Sequence, residues 1–173
     1  AKYLGLESEE RLMGFGVSAC AVCDGFFYKG REVVLVGAGD TAAEEATYLA
    51  KICPKVTMLV RRDEMRASKA MQHRVENTEN IEVRFNTETV ELIGEKNVEG
   101  VRTRNNITGE EEVIPAEGFF VAIGHKPNTD IFKGQLEMDD VGYLITKPDR
   151  TATNKPGVFA TGDAQDKIYR QAV

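Results

Sequence analysis

Residues 33–46 read VVLVGAGDTAAEEA, an apolar run that passes through two glycines into a segment with helical spacing. A continuous run such as Val33–Val36 marks a strand buried on both faces of a parallel sheet. A helix is expected from about Asp40 to Cys53: Ala42, Ala46, Leu49, Ala50 and Cys53 fall at helical spacing, and Pro54 punctuates the end. KVTMLV at 55–60 reads as the next strand and completes a β-α-β unit. Within it, Gly37, Gly39 and Ala42, with Asp40 and Thr41 between, match Gly-x-Gly-x-x-Ala. The first glycine permits a tight turn, the second lets a pyrophosphate approach the backbone, and the third small residue lets helix and strand pack closely. The helix start offers unpaired N–H groups and a partial positive charge to an anion. The flanking strand and helix separate this motif from a glycine-rich turn that binds nothing.

The end of the second strand decides which nucleotide is expected. An NAD-binding unit places Asp or Glu about 20 residues beyond the glycines, to hold the ribose hydroxyls. This chain has Val60-Arg61-Arg62 there, and Arg66 one turn further on. A carboxylate would repel a 2′-phosphate, whereas guanidinium groups bind it through charge-assisted hydrogen bonds. The expected cofactor is NADPH rather than NADH; the other reading of these arginines is a solvated charge cluster. Glu44, Ile123 and Gly124 complete the candidate NADPH set.

Working outward, 173 residues allow one well-buried core with a smaller appendage. Hydrophobic residues at 42% and charged residues at 29% are ordinary for a soluble globular protein. A formal charge of -6 argues against nucleic acid or an anionic membrane as partner. No apolar run reaches the roughly 18 residues a membrane helix needs, and no signal peptide opens the chain. Three cysteines are too few for a secreted disulfide scaffold, so a cytoplasmic location is expected. The chain starts on Ala1 rather than Met and stops in IYRQAV, so a piece of a longer protein is expected.

Between Ile81 and Gly124, about four or five short strand-like runs alternate with turns such as Glu95-Lys96-Asn97 and Asn105-Asn106, which predicts an antiparallel meander added to the sheet. GHKPNTD at 124–130 is the best linker, and GVFATGDA at 157–164 reads as another buried strand. The predicted fold class is α/β, a Rossmann-like three-layer NAD(P)-binding domain with an antiparallel β-meander. It would occupy residues 1–128, with 129–173 belonging to a second domain.

SACAVCDGF at 18–26 holds Cys20 and Cys23 three positions apart, with Asp24 directly behind. Zinc needs four ligands, and Cys53, His73 and His125 supply no second ligand pair, so no metal site is expected. A static disulfide is disfavoured in the cytosol. A redox dithiol is favoured, because a thiolate is the nucleophile in disulfide exchange and a Cys-x-x-Cys near a helix start can lower one cysteine's pKa. Asp24 is either the proton shuttle that exchange requires or a turn former before Gly25. Cys53 reads as a bland buried thiol.

SACAVCDGFFYKG, GAGDTAAEEA, RRDEMRA, AIGHKPNT and GVFATGDAQDKIYRQAV together resemble the low-molecular-weight, bacterial-type thioredoxin reductases. The resemblance runs from KYLGLESEE at Lys2 to the last residue, and its most specific sign is a dithiol just before the glycine cradle. It implies electron flow from NADPH to FAD, to the dithiol, and on to the disulfide of thioredoxin. By that likeness Cys23 faces the flavin, Cys20 attacks thioredoxin, and Asp24 is the general acid. Arg61, Arg62 and Arg66 match phosphate-binding arginines, while Val60 stands where the family often has histidine. Asp163 and Ala164 would meet the flavin's ribityl-phosphate arm, and Arg170, Gln171 and Ala172 would lie against its ring. The family's own FAD cradle has no counterpart in residues 1–32, so the resemblance implies an NADPH domain plus the start of a returning FAD-domain segment. It also implies a homodimeric full-length flavoprotein and a fragment that reduces nothing by itself. Two other readings remain open: a relative on the same scaffold with a different acceptor, of the peroxiredoxin-reductase type or a dithiol oxidase, and a stand-alone nucleotide-binding module whose cysteines are regulatory rather than catalytic.

Overall fold

The structure, a computed structural model, describes residues 1–148 and 150–166. Strand β2 (Val33–Val36) is buried at all four positions. It lies in the middle of a five-stranded, all-parallel sheet. The order is β1 (Val17–Ser18), β8 (Gly118–Val121), β2, β3 (Val56–Leu59) and β4 (Ile81–Arg84). Because strand side chains alternate in direction, β2 feeds two cores. Val33 and Leu35 join one cluster with Ala42, Ala46 and Leu49 of α3 (Asp40–Leu49) and Val75 of α4 (Lys69–Glu76). Val34 and Val36 join the other, with Leu92 of β5 (Thr87–Ile93), Val101 of β6 (Gly100–Asn105) and Ile114 of β7 (Glu111–Pro115). Strands β5, β6 and β7 form a separate antiparallel sheet. The result is three layers: helices, parallel sheet, antiparallel sheet. The α/β three-layer class expected from the sequence is what the structure has.

Three expectations need correction. The runs from Ile81 to Gly124 do not make one meander added to the sheet. Strand β4 pairs parallel with β3, and β8 inserts parallel between β1 and β2, leaving only β5–β7 antiparallel. The physical reason lies in burial: every residue of β8 is buried, with both phenylalanines fully enclosed, which requires packing on both faces. The second concerns GVFATGDA, which is not a buried strand. Only an isolated bridge joins Ala152 to Phe159, and Val158 and Phe159 are 38% and 67% exposed. A short apolar run becomes a buried strand only where neighbours pair with it on both sides. The helix of the β-α-β unit also stops earlier than expected, at Leu49. The Lys51 and Ile52 N–H groups then bond to Tyr48 and Leu49 carbonyls, tightening the last turn, and Cys53 keeps its buried place.

Lys2–Gly124 forms one compact unit; His125 onward, with Ala1, forms another. The larger unit closes on itself where the Lys2 N–H donates to the Gly124 carbonyl at 2.9 Å. The smaller unit carries 3₁₀ turns at Asp130–Phe132 and Gly162–Ala164 and a bridge between Met138 and Leu144. Among the described residues, no helix is long and apolar enough to cross a membrane.

Candidate functional site

Parallel strands place their C-terminal ends along one edge of the sheet, where open α/β folds bind ligands. Here the sheet delivers Cys20 just after β1, Gly37 after β2, Arg61 after β3 and Ile123 after β8. Residues scattered over a hundred positions of sequence thereby share one rim.

At the cradle, Gly37 has φ +156°, and a methyl group placed on it would come within 2.7 Å of Ala42 Cβ and press on the Ala122 carbonyl oxygen. Its smallness serves the packing of helix on strand, with Ala42 fully buried. Gly39 differs. Its backbone is ordinary, and an added methyl would meet nothing within 4 Å. Gly39 is the N-cap of α3, and among the described residues no side chain caps the helix, which leaves its first amides without a side-chain acceptor there. The segment after β3 folds back onto this turn: the Arg66 and Ala67 N–H groups both donate to the Ala38 carbonyl, at 2.8 and 2.9 Å. The Ser68 amide donates to Asp40 Oδ1 at 2.8 Å and holds that carboxyl below its ordinary range. The Arg61 carbonyl accepts from Asn106 Nδ2 and the Arg62 carbonyl from the Asn86 amide. Arg61, Arg62 and Arg66 are exposed, and among the described residues none of them is in an ion pair. Thr41 and Ile123 are half-buried, Glu44 is exposed, and Gly124 turns with φ +112°.

The dithiol sits on α2 (Ala21–Asp24), with Cys20 as its N-cap and Cys20 and Cys23 joined in a disulfide. The Cys23 amide points to Cys20 Sγ at 3.2 Å. Cys20 is half-buried and Cys23 exposed. Asp24 has ordinary αR geometry rather than a tight Asp-Gly turn, and its Oδ2 accepts from Ser18 Oγ at 2.6 Å. The same hydroxyl accepts the Cys20 amide at 3.1 Å. Ser18 thus bridges the cysteine turn and the carboxylate, and sequence reading missed it. The available signal was a serine at a strand end, two residues before the first cysteine. Val22 on α2, and Phe26 and Phe27 in the 3₁₀ turn that follows it, are each more than 60% exposed and leave apolar surface near the cysteine turn in sequence. Tyr28 stacks edge-on against Phe120 at 5.3 Å, and burial, then the Asp24 charge, pushes its hydroxyl upward. Cys53 points its Sγ at the Tyr28 carbonyl, and burial pushes the thiol up to about 11, which disfavours the thiolate. Among the described residues, no cluster of three or more His, Cys, Asp or Glu could hold a metal.

In the smaller unit, Asp163 and Ala164 line a cleft of about 250 Å³ with Lys126, Asn128, Thr129 and Tyr143. The Ala164 carbonyl is fixed by the Leu144 amide at 2.8 Å. Arg170, Gln171 and Ala172 lie outside the described residues.

A nucleotide-type cradle and a disulfide on one sheet edge define a class, and comparison with known proteins agrees. The chain belongs to the pyridine nucleotide-disulphide oxidoreductases, whose family model matches residues 1–173. Within that class it is similar to proteins described as thioredoxin reductases. It is 51% identical over 176 residues to a thioredoxin reductase of Rickettsia conorii and 52% identical over 175 residues to one of Dictyostelium discoideum. All of this chain is covered in both cases, but only 57% and 55% of the relatives. The crystal structure of thioredoxin reductase from Streptococcus pyogenes superposes with a TM-score of 0.90 at 37% identity, covering 99% of this chain and 56% of that one. The chain therefore spans little more than half the length of the proteins it matches.

Proposed function

We propose that this chain is the NADPH-binding and dithiol-bearing part of a thioredoxin-disulfide reductase, residues 1–128 forming the nucleotide domain and 129–173 the start of a returning FAD-domain segment. The observation that carries the reading is the disulfide on the rim shared with the glycine cradle and the arginines. The change of compact unit at Gly124–His125 supports the division.

The cradle fits a dinucleotide. Among the described residues nothing lies within 4 Å of a methyl group placed on Gly39, and the amides of Asp40, Thr41 and Ala42 at the α3 start suit a pyrophosphate. Arg61, Arg62 and Arg66 would take the 2′-phosphate, with Glu44, Ile123 and Gly124 beside the remainder of NADPH. Asp163 and Ala164, at their cleft, would hold the ribityl-phosphate arm of FAD, with Arg170, Gln171 and Ala172 near its ring. Bound NADPH and FAD would supply an electron pair to the disulfide. The chain's own residues do the rest. Reduction breaks the Cys20–Cys23 bond, and two electrons and two protons leave two thiols. Asp24, oriented by Ser18, would take the proton from the attacking thiol and pass it, as general acid, to the sulfur that leaves thioredoxin. The Cys20 thiolate attacks the disulfide of thioredoxin and forms a mixed disulfide. Cys23 then attacks Cys20, which restores the intramolecular bond and releases reduced thioredoxin. A cytoplasmic location and a homodimer of the longer protein belong to the same proposal.

The test uses the full-length polypeptide. Cys20→Ser abolishes thioredoxin reduction yet leaves flavin reduction by NADPH intact in stopped-flow absorbance. Thioredoxin reduction at the wild-type rate by this variant would reject the relay.

A further inference from the structure

The carboxyl of Glu45 lies on α3 beneath the cysteine turn, and no step above uses it. The two elements are in close contact: a methyl group on Gly25, just past α2, would come within about 3 Å of Tyr48 and Leu49 side chains on α3. One carboxyl oxygen of Glu45, Oε2, is shut off from solvent and has no hydrogen-bond partner. The carboxyl faces the backbone amide of Ala21, a residue with no exposure at all. Ala21 directly follows Cys20 and opens α2, whose Cys23 amide meanwhile points at Cys20 Sγ. The carboxyl and a future Cys20 thiolate therefore share the amide end of one four-residue turn.

Among the described residues, Glu45 is in no ion pair. Glu44 on α3 is the charged neighbour that bears on Glu45. Asp40, at the start of α3, is turned to Ser68, and Asp24 of α2 to Ser18. Arg31, beyond α2, pairs with Glu117, and Lys69 of α4 bonds to Gln72. The sheet beneath α3 contributes apolar side chains.

We propose that Glu45 is a positioning residue for the Cys20–Cys23 pair: its buried carboxyl anchors the first amide of the dithiol turn and couples its own proton to the ionisation of the cysteines. Burial, reinforced by Glu44 and opposed by the Ala21 amide, raises this carboxyl to about 7. Its charge consequently changes in the range where a dithiol must exchange protons. An ionised Glu45 opposes a thiolate at the same turn, and a thiolate opposes ionisation of Glu45; the two effects are reciprocal. Reduction of the disulfide by two electrons and two protons thus changes the titration of a group that never touches the substrate.

The inference rests on the redox reading of the cysteine pair, and the experiment separates the two. The chain is reduced and its cysteines alkylated with iodoacetamide from roughly pH 5 to 10, with rates read for each cysteine by peptide mass spectrometry. Wild type shows an inflection near 7 beside the thiol titration. Glu45→Gln loses that inflection, and its reactive thiol titrates about one pH unit lower. Glu45→Asp restores the inflection. Superimposable profiles for wild type and Glu45→Gln overturn the coupling. A second measurement needs no variant: the Glu45 carboxyl, followed by carbon-13 NMR, titrates higher in the reduced chain than in the oxidised one. Equal values in both states overturn the proposal just as firmly. A cysteine pair that fails to exchange with a dithiothreitol redox buffer rejects the redox reading itself. Equal titrations in a pair that does exchange reject only the role of Glu45.

Discussion

A methyl group added at Gly37 collides with Ala42 and the Ala122 carbonyl, while one added at Gly39 meets open space. The same substitution at these two sites should thus fail in different ways. Gly37→Ala overpacks the strand–helix junction and lowers stability by about 1–3 kcal/mol in urea denaturation. Gly39→Ala leaves the midpoint within about 0.5 kcal/mol of wild type yet weakens NADPH in titration calorimetry. A stable Gly39→Ala chain that binds NADPH as wild type does would remove the cradle from the proposal. The arginines make a separate claim at this scale. The chain binds NADPH more tightly than NADH, and Arg61→Ala with Arg62→Ala removes most of the difference. Each charge-assisted hydrogen bond contributes about 1.5–3 kcal/mol, so the ratio of the two affinities should fall at least about tenfold. Equal affinities in wild type would end that claim. The cradle and the arginines were legible in the sequence because each is local: the motif lies within six residues, and the arginines close the next strand. Ser18 and Glu45 were not legible. Each is an unremarkable residue until β1 ends beside α2 and α3 packs beneath it.

At the scale of elements, the central place of β8 is the feature that sequence patterning did not convey. Its residues read as one more short apolar run after three hairpin strands, and nothing local tells a strand whether its neighbours run parallel. That information resides in the chain's return across the antiparallel layer, which only long-range packing specifies. The edge position of β4 has the same origin, since its half-buried side chains lack the full enclosure of β2 and β3. The β2-α3-β3 unit was legible to within a turn, because there the two periodicities change within adjacent segments. The overestimate of α3 came from Ala50 and Cys53, which keep helical spacing although the last turn tightens. Burial of β8 supports a direct prediction. Phe120 is fully enclosed and carries the edge-on contact with Tyr28. Phe120→Ala should cost about 3–5 kcal/mol in chemical denaturation, whereas Phe85→Ala, at a side chain 40% exposed, should cost under about 1 kcal/mol. Similar losses for the two variants would contradict the central position of β8.

For the whole molecule, the separation into Lys2–Gly124 and the residues beyond has a measurable outcome. Both hydrophobic clusters, the cradle, the arginines and the dithiol all lie inside the larger unit. A chain ending at Gly124 should therefore unfold cooperatively and bind NADPH within about twofold of the 173-residue chain by calorimetry. Loss of binding on truncation would show that residues beyond Gly124 complete the cradle.

The hydrogen bond from Lys2 to Gly124 has a consequence for protein engineering. The larger unit starts and finishes at one point of its surface, 2.9 Å from donor to acceptor. A body whose entrance and exit coincide is a cassette: it can be spliced into a surface loop of an unrelated host without prising that loop apart. Joining Lys2 to Gly124 with a short glycine bridge and opening new termini at the Asn105–Gly109 turn would give a circular permutant, because the closing span adds little loop entropy.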